Sequence, residues 1–190
     1  ESGLGLGNYL GVSDDFLESL SVIFLSDDTN IFDKNEISGL KNNNNSYSKR
    51  INRLMLGGYS ISCCKDFYDT DSVIKIYQKT KESFPDTFHK YHPGIITKDT
   101  LSDSFSQVEP TRPIELMDNQ IGVLIGGFSG ALVSMSNQGV KCVSFLKLVK
   151  IKNSFNRDFI IDDLQRKSDN KILFPENMED YLELIKDIEL

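Results

Sequence analysis

The 190-residue chain is poor in cysteine, proline and histidine, with 3, 5 and 2 of each. Three cysteines, two of them adjacent at Cys63 and Cys64, do not make a disulfide framework, and no spaced set of Cys and His is present to hold zinc. They read as small buried residues of a reducing compartment. No apolar run approaches the ~20 residues that cross a bilayer, and no signal peptide is visible, so the chain as it stands reads as soluble. Positive charge is also short: 21 Lys and Arg against 28 Asp and Glu leave a net charge of −7. That balance argues against whole-protein attraction to nucleic acid or an anionic membrane. No DxD-type motif is placed to chelate a metal-bound diphosphate either. Asp14-Asp15 and Asp27-Asp28 are adjacent pairs suited to turns and caps, so no metal site and no cofactor is expected.

What is present suffices for one domain with a real core: 39% hydrophobic and 26% charged residues are ordinary values for a globular protein. Residues 21–26, SVIFLS, read as a short strand, and the polar stretch that follows, with four consecutive asparagines, as a weak helix broken by a mobile surface loop. Further strands are expected at residues 53–58, 86–92, 121–127 and 140–146. The stretch TDSVIKIYQKTKES, with Thr70 or Asp71 as cap, is a helix by its apolar spacing. Pro113 suits the first turn of a short helix over PIELMDN. The run SGALVSMSNQG is a second helix that Ser129 could cap and Gly139 could end, and EDYLELIKDIEL carries apolar residues at helical spacing. Strands and helices alternate, and the clear strands are short, apolar and β-branched. This predicts a parallel, Rossmann-like α/β sheet with helices on both faces.

Four constellations carry chemistry. In IGVLIGGFSGALVSMSNQG a buried strand runs into Gly126-Gly127 and a helix begins at Ser129, which aims first-turn N–H groups and a hydroxyl at the crevice beyond the strand ends. The turn lacks GxGxxG and GxxxxGKS, so it names neither dinucleotide nor P-loop enzymes, and glycines there also arise from sterics alone. In HKYHP, His92 stands at a strand end before Pro93, where an imidazole can donate to a leaving phosphate oxygen; the bland alternative is a polar residue at a strand edge. Lys90 shares the face of His92 by the period of two, whereas His89 points to the other face. In PIELM, Glu115 can accept both hydroxyls of a ribose, or simply complement a helix dipole at the surface. Glu1, in ESG, is a candidate catalytic base or a frayed terminus.

Taken in order, ESG, RLMLGG, HKYHPG, PIE and IGVLIGGFSGAL resemble the second half of the bacterial sialyltransferases and polysialyltransferases that build lipooligosaccharide caps and capsules. The match runs from Glu1 to about Lys150. The resemblance implies a Rossmann-like domain that is one half of a GT-B enzyme, with an acceptor-binding domain preceding this chain. It implies transfer of sialic acid from CMP-sialic acid to a glycan acceptor, with inversion and without a metal. Glu1 matches the general base and Gly3 its following glycine. His92 and Pro93 match the His-Pro pair that binds and protonates the nucleotide phosphate. Glu115 matches a glutamate associated with the nucleotide, and Ser129 a serine of the phosphate-binding turn formed by Gly127 to Gly130. The second acidic position is Ser2, and the usual paired hydroxyls of the turn are replaced by Phe128-Ser129-Gly130.

The division expected is an interdomain or catalytic loop segment at residues 1–20, the nucleotide-sugar domain at 21–150 and a C-terminal helical segment at 151–190. The catalytic candidates are Glu1 and His92; the nucleotide-binding candidates are Lys90, Pro93, Glu115, Gly127, Ser129 and Gly130. The partners implied are the CMP-sialic acid donor and a glycan acceptor, with no nucleic acid. The cell location implied is the bacterial cytoplasm, with room for peripheral attachment of the whole enzyme at the inner face of the membrane. Two rivals remain: a transferase of CDP-glycerol or a related activated polyol, and a non-catalytic domain that binds nucleotide or glycan.

Overall fold

The computed structural model describes residues 50–57, 69–91, 102–108, 114–151 and 157–186. The strand expected at 21–26, the asparagine loop, Glu1, His92, Pro93, Cys63 and Cys64 lie outside them. Among the described residues the chain runs β1 (Ile51–Gly57), α1 (Thr70–Ser83), β2 (Phe88–Tyr91), β3 (Ser106–Val108), β4 (Ile121–Gly126), α2 (Gly130–Asn137), β5 (Lys141–Ser144), α3 (Arg157–Lys167), β6 (Ile172–Leu173) and α4 (Met178–Ile185). The strands form one sheet in the order β3-β2-β1-β4-β5-β6, and every pairing is parallel. This is the Rossmann order, in which the chain winds outward from β1 to one side and from β4 to the other.

The central strands are covered on both faces, so they lack polar alternation: Leu54, Met55, Leu124 and Ile125 are all fully buried. Adjacent residues at the end of β1 show which helix covers which face. Leu56 lies beside Gly126 and Leu132 of α2, whereas Gly57 lies beneath His89, whose ring meets Tyr77 of α1. α1 and α2 therefore cover opposite faces, as right-handed crossovers in opposite directions require. α4 joins the α1 face. The buried Thr80 hydroxyl donates to the Ile76 carbonyl at 2.7 Å, so its single proton is spent, and the Tyr181 hydroxyl of α4 donates to Thr80 Oγ1 at 2.6 Å.

A buried arginine closes the same face. Arg53 donates to both carboxylate oxygens of Asp86 at 2.8 and 3.0 Å and to the Ile185 carbonyl at 3.4 Å, and its guanidinium lies 4.2 Å above the Phe84 ring. The described residues 157–186 thus add two helices and, as β6, a sixth strand of the sheet, with Tyr181 and Ile185 in the common core.

The helix expected at 70–83 is present, but its cap is Asp69, whose carboxylate accepts from Ser72 N at 3.1 Å, and not Thr70 or Asp71. The PIELMDN segment forms two short 3₁₀ turns, Ile114–Leu116 and Asp118–Gln120, in place of an α-helix. Ser129 caps α2 and Gly139 follows its end with φ of +92°, the left-handed conformation that glycine adopts without strain.

Candidate functional site

In a sheet of this order the crevice opens where neighbouring chain segments leave in opposite directions, beyond the carboxyl ends of β1 and β4. β1 ends there at Gly57, and β4 ends at Gly126, followed by Gly127, Phe128 and Ser129. Ser129 is half-buried with extended backbone, and its Oγ accepts from Ala131 N at 3.2 Å. Accepting that bond leaves the hydroxyl proton as a donor at the positive end of α2. Gly130 is the first helical residue beside it.

Gly127 is held from below. The buried Ser144, at the end of β5, donates from Oγ to the Gly127 carbonyl at 2.6 Å. That carbonyl oxygen is drawn toward β5, which keeps a negative partial charge away from the helix start. Gly126 itself is not demanded by space, because a Cβ there would reach Leu132 Cδ1 at 3.4 Å, an ordinary contact.

Gly57 is different. A Cβ built on it would lie 1.6 Å from His89 Nε2, so the imidazole occupies the volume that a side chain would need. The ring is fully buried, edge-on to Tyr91 at 4.7 Å between centroids, with Tyr77 and Phe105 each at 6.0 Å. Its tautomer follows from the network. Gln107 Nε2 donates to the Phe105 carbonyl at 3.1 Å, which orients the amide, so Gln107 Oε1 accepts from His89 Nδ1 at 3.2 Å and the ring proton resides on Nδ1. Tyr91 in turn donates to Asp103 Oδ1 at 3.0 Å. His89 is thus a packing residue that fixes the end of β2 against β1.

Lys90 pairs in register with Leu56 and Val108, on the face opposite His89, and is buried at 5% exposure near the end of β2. Glu115 sits in the Ile114–Leu116 turn and is half-buried. Its Oε1 accepts from Ser134 Oγ of α2 at 3.2 Å. Ser134 lies one helical turn beyond Gly130 on the same stripe, roughly 7.5 Å along the axis from the Ser129 cap by the helical rise. Gly130 and Ser134 therefore share one stripe of α2, and Glu115 is held against its Ser134 end. Ser134, Ser144 and the Gly57–His89 contact were not singled out from sequence; only the serine content of SGALVSMS hinted at the first.

Cys142, in the middle of β5, is fully buried, and burial pushes its thiol pKa up to about 12, so it is neither thiolate nor nucleophile near neutral pH. Among the described residues no group of three His, Cys, Asp or Glu is arranged to hold a metal, and no helix is long and apolar enough to cross a membrane.

Neither a protein-family model nor a curated protein matches the chain. Among solved structures it is similar to the crystal structure of S. aureus homoserine dehydrogenase at pH 6.0, at 11% identity and a TM-score of 0.36, over 69% of this chain and 34% of that one. The chain spans about a third of that protein's length, and a likeness this slight says nothing of its own activity.

Proposed function

We propose that the chain is the nucleotide-sugar domain of a sialyltransferase-like glycosyltransferase, one half of a GT-B enzyme that transfers sialic acid from CMP-sialic acid to a glycan hydroxyl. The observation that carries this reading is the serine-capped helix α2 rising from the end of β4 at the switch point of a parallel sheet ordered β3-β2-β1-β4-β5-β6. Glu115, hydrogen-bonded to Ser134 of that same helix, supplies a carboxylate beside it. Both features fall on motifs through which the sequence resembles that family.

The Ser129 hydroxyl and the Gly130 end of α2 would hold the CMP phosphate, and Glu115 would accept from the ribose hydroxyls. The acceptor hydroxyl attacks the anomeric carbon while the bond to the phosphate oxygen breaks, which inverts that centre. Glu1 takes the acceptor's proton and His92 donates to the departing phosphate; these two roles come from the resemblance. A monophosphate leaving group lacks the diphosphate that a DxD-held metal chelates, and in the chain's Asp69-Thr70-Asp71 the Asp69 carboxylate is engaged as the cap of α1.

The test is release of CMP from CMP-sialic acid by a protein carrying both halves, with and without a glycan acceptor. Acceptor-dependent release is expected, lowered about 10²–10⁴-fold by His92→Ala, the usual worth of general acid catalysis. Turnover of CDP-glycerol with CMP-sialic acid untouched, or turnover of neither donor, would overturn the proposal.

A further inference from the structure

We infer that Ser134 sets the sugar selectivity of the proposed nucleotide site, orienting the Glu115 carboxylate so that the pair takes the vicinal hydroxyls of a ribose and discriminates against 2′-deoxyribose. The inference rests on the nucleotide reading above and adds a positioning residue to it. Glu115 belongs to a turn anchored by its neighbours: Ile114 is 6% and Met117 1% exposed, and Met117 N donates to the Ile114 carbonyl at 2.9 Å. The backbone is therefore fixed, and the remaining freedom is that of the glutamate side chain. Ser134 Oγ removes part of it by donating to Oε1 at 3.2 Å.

A serine hydroxyl has one proton, and this one is directed at the carboxylate, so the pair offers a ligand lone pairs only. Such a surface repels phosphate or carboxylate and attracts a group bearing two adjacent O–H donors, which is what a ribose presents and a 2′-deoxyribose lacks. The position agrees with that chemistry. Leu132, Met135 and Ser136 are the buried residues of α2, while Ser134 lies on the far side of the helix in line with Gly130.

The experiment is a calorimetric titration of the chain with CMP and 2′-deoxyCMP, repeated on Ser134→Ala, Ser134→Thr and Glu115→Gln. The native chain should prefer CMP by about 10- to 100-fold, the range for hydrogen bonds to a charged acceptor. Ser134→Ala should lower that preference severalfold by weakening CMP more than 2′-deoxyCMP, a sugar-specific signature that a merely structural serine would not give. Ser134→Thr should keep the preference and Glu115→Gln should reduce it. Equal binding of both nucleotides by the native chain, or an unchanged preference in Ser134→Ala, would overturn this inference and leave the nucleotide reading standing. Binding of neither nucleotide would overturn both.

Discussion

Replacing Gly57 with alanine adds one methyl group, and the structure states what that group meets. Its carbon would lie 1.6 Å from His89 Nε2, 2.4 Å from Cε1 and 2.8 Å from Cδ2. Ordinary contact begins at about 3.4 Å, so the ring must retreat by nearly 2 Å or the strands must part. It has little room to do so, being packed against Tyr91, Tyr77 and Phe105 and tied through Nδ1 to Gln107. Overpacking of a core typically costs about 1–3 kcal/mol, and loss of the Gln107 hydrogen bond adds about 1 kcal/mol. Gly57→Ala should therefore destabilise the chain by about 2–4 kcal/mol. His89→Ala alone leaves a cavity and should also destabilise, but it removes the obstacle, so in Gly57→Ala/His89→Ala the two losses should not add. Denaturant midpoints of the four proteins measure the coupling, expected at about 1–3 kcal/mol in favour of the double variant. A Gly57→Ala protein within about 0.5 kcal/mol of the parent, or strictly additive losses, would refute the contact.

Three further predictions concern other parts of the fold. Ser129→Ala should lose the α2 cap, worth about 1 kcal/mol, together with any response to CMP, whereas Ser129→Asp should keep the cap and lose only the response, because its carboxylate stands where a phosphate would; thermal melts with and without CMP separate the two. For Asp86, burial works to raise the pKa, but the hydrogen bonds and charge of Arg53 outweigh it, with help from its own backbone N–H and Asn52, and hold it below the ordinary 3.8. Its stabilising contribution is accordingly complete above the unfolded value and lost as pH falls through the lower folded one, so Asp86→Asn should be less stable at neutral pH, by about 1–2 kcal/mol for a pair with one exposed member, and the gap should close below pH ~4 in urea titrations. Thr80→Val should cost about 1–3 kcal/mol by leaving the Tyr181 hydroxyl buried without its acceptor, and adding Tyr181→Phe should recover part of that loss; a second substitution that deepens the loss would refute the pairing.

What the sequence revealed is what local chemistry determines. β1, β4 and α2 announce themselves through apolar runs, a serine before a helix and a glycine after it, and each lies within two residues of its expected bounds. β3 escaped notice because it is a three-residue edge strand, SQV, with two exposed side chains and no apolar pattern to betray it. β6 has only two residues, and α3 is polar along most of its length. The helix expected at PIELMDN is instead two 3₁₀ turns, with Ile114 and Met117 both buried, and its short apolar spacing of three does not by itself separate the two helix types. Most of the site's supporting contacts join residues distant in sequence: Gly57 with His89, Glu115 with Ser134, Gly127 with Ser144. No spacing rule foretells them, since each depends on the strand order.

The central claim, that the switch-point turn beside α2 binds the phosphate of a cytidine nucleotide, is tested most directly by following the thermal unfolding midpoint of the 190-residue chain against CMP concentration. A ligand that binds only the folded chain adds RT ln(1 + [CMP]/Kd), about 2.7 kcal/mol at a hundredfold excess over Kd. The midpoint should climb steadily with CMP. A midpoint that stays fixed up to millimolar CMP would contradict the claim.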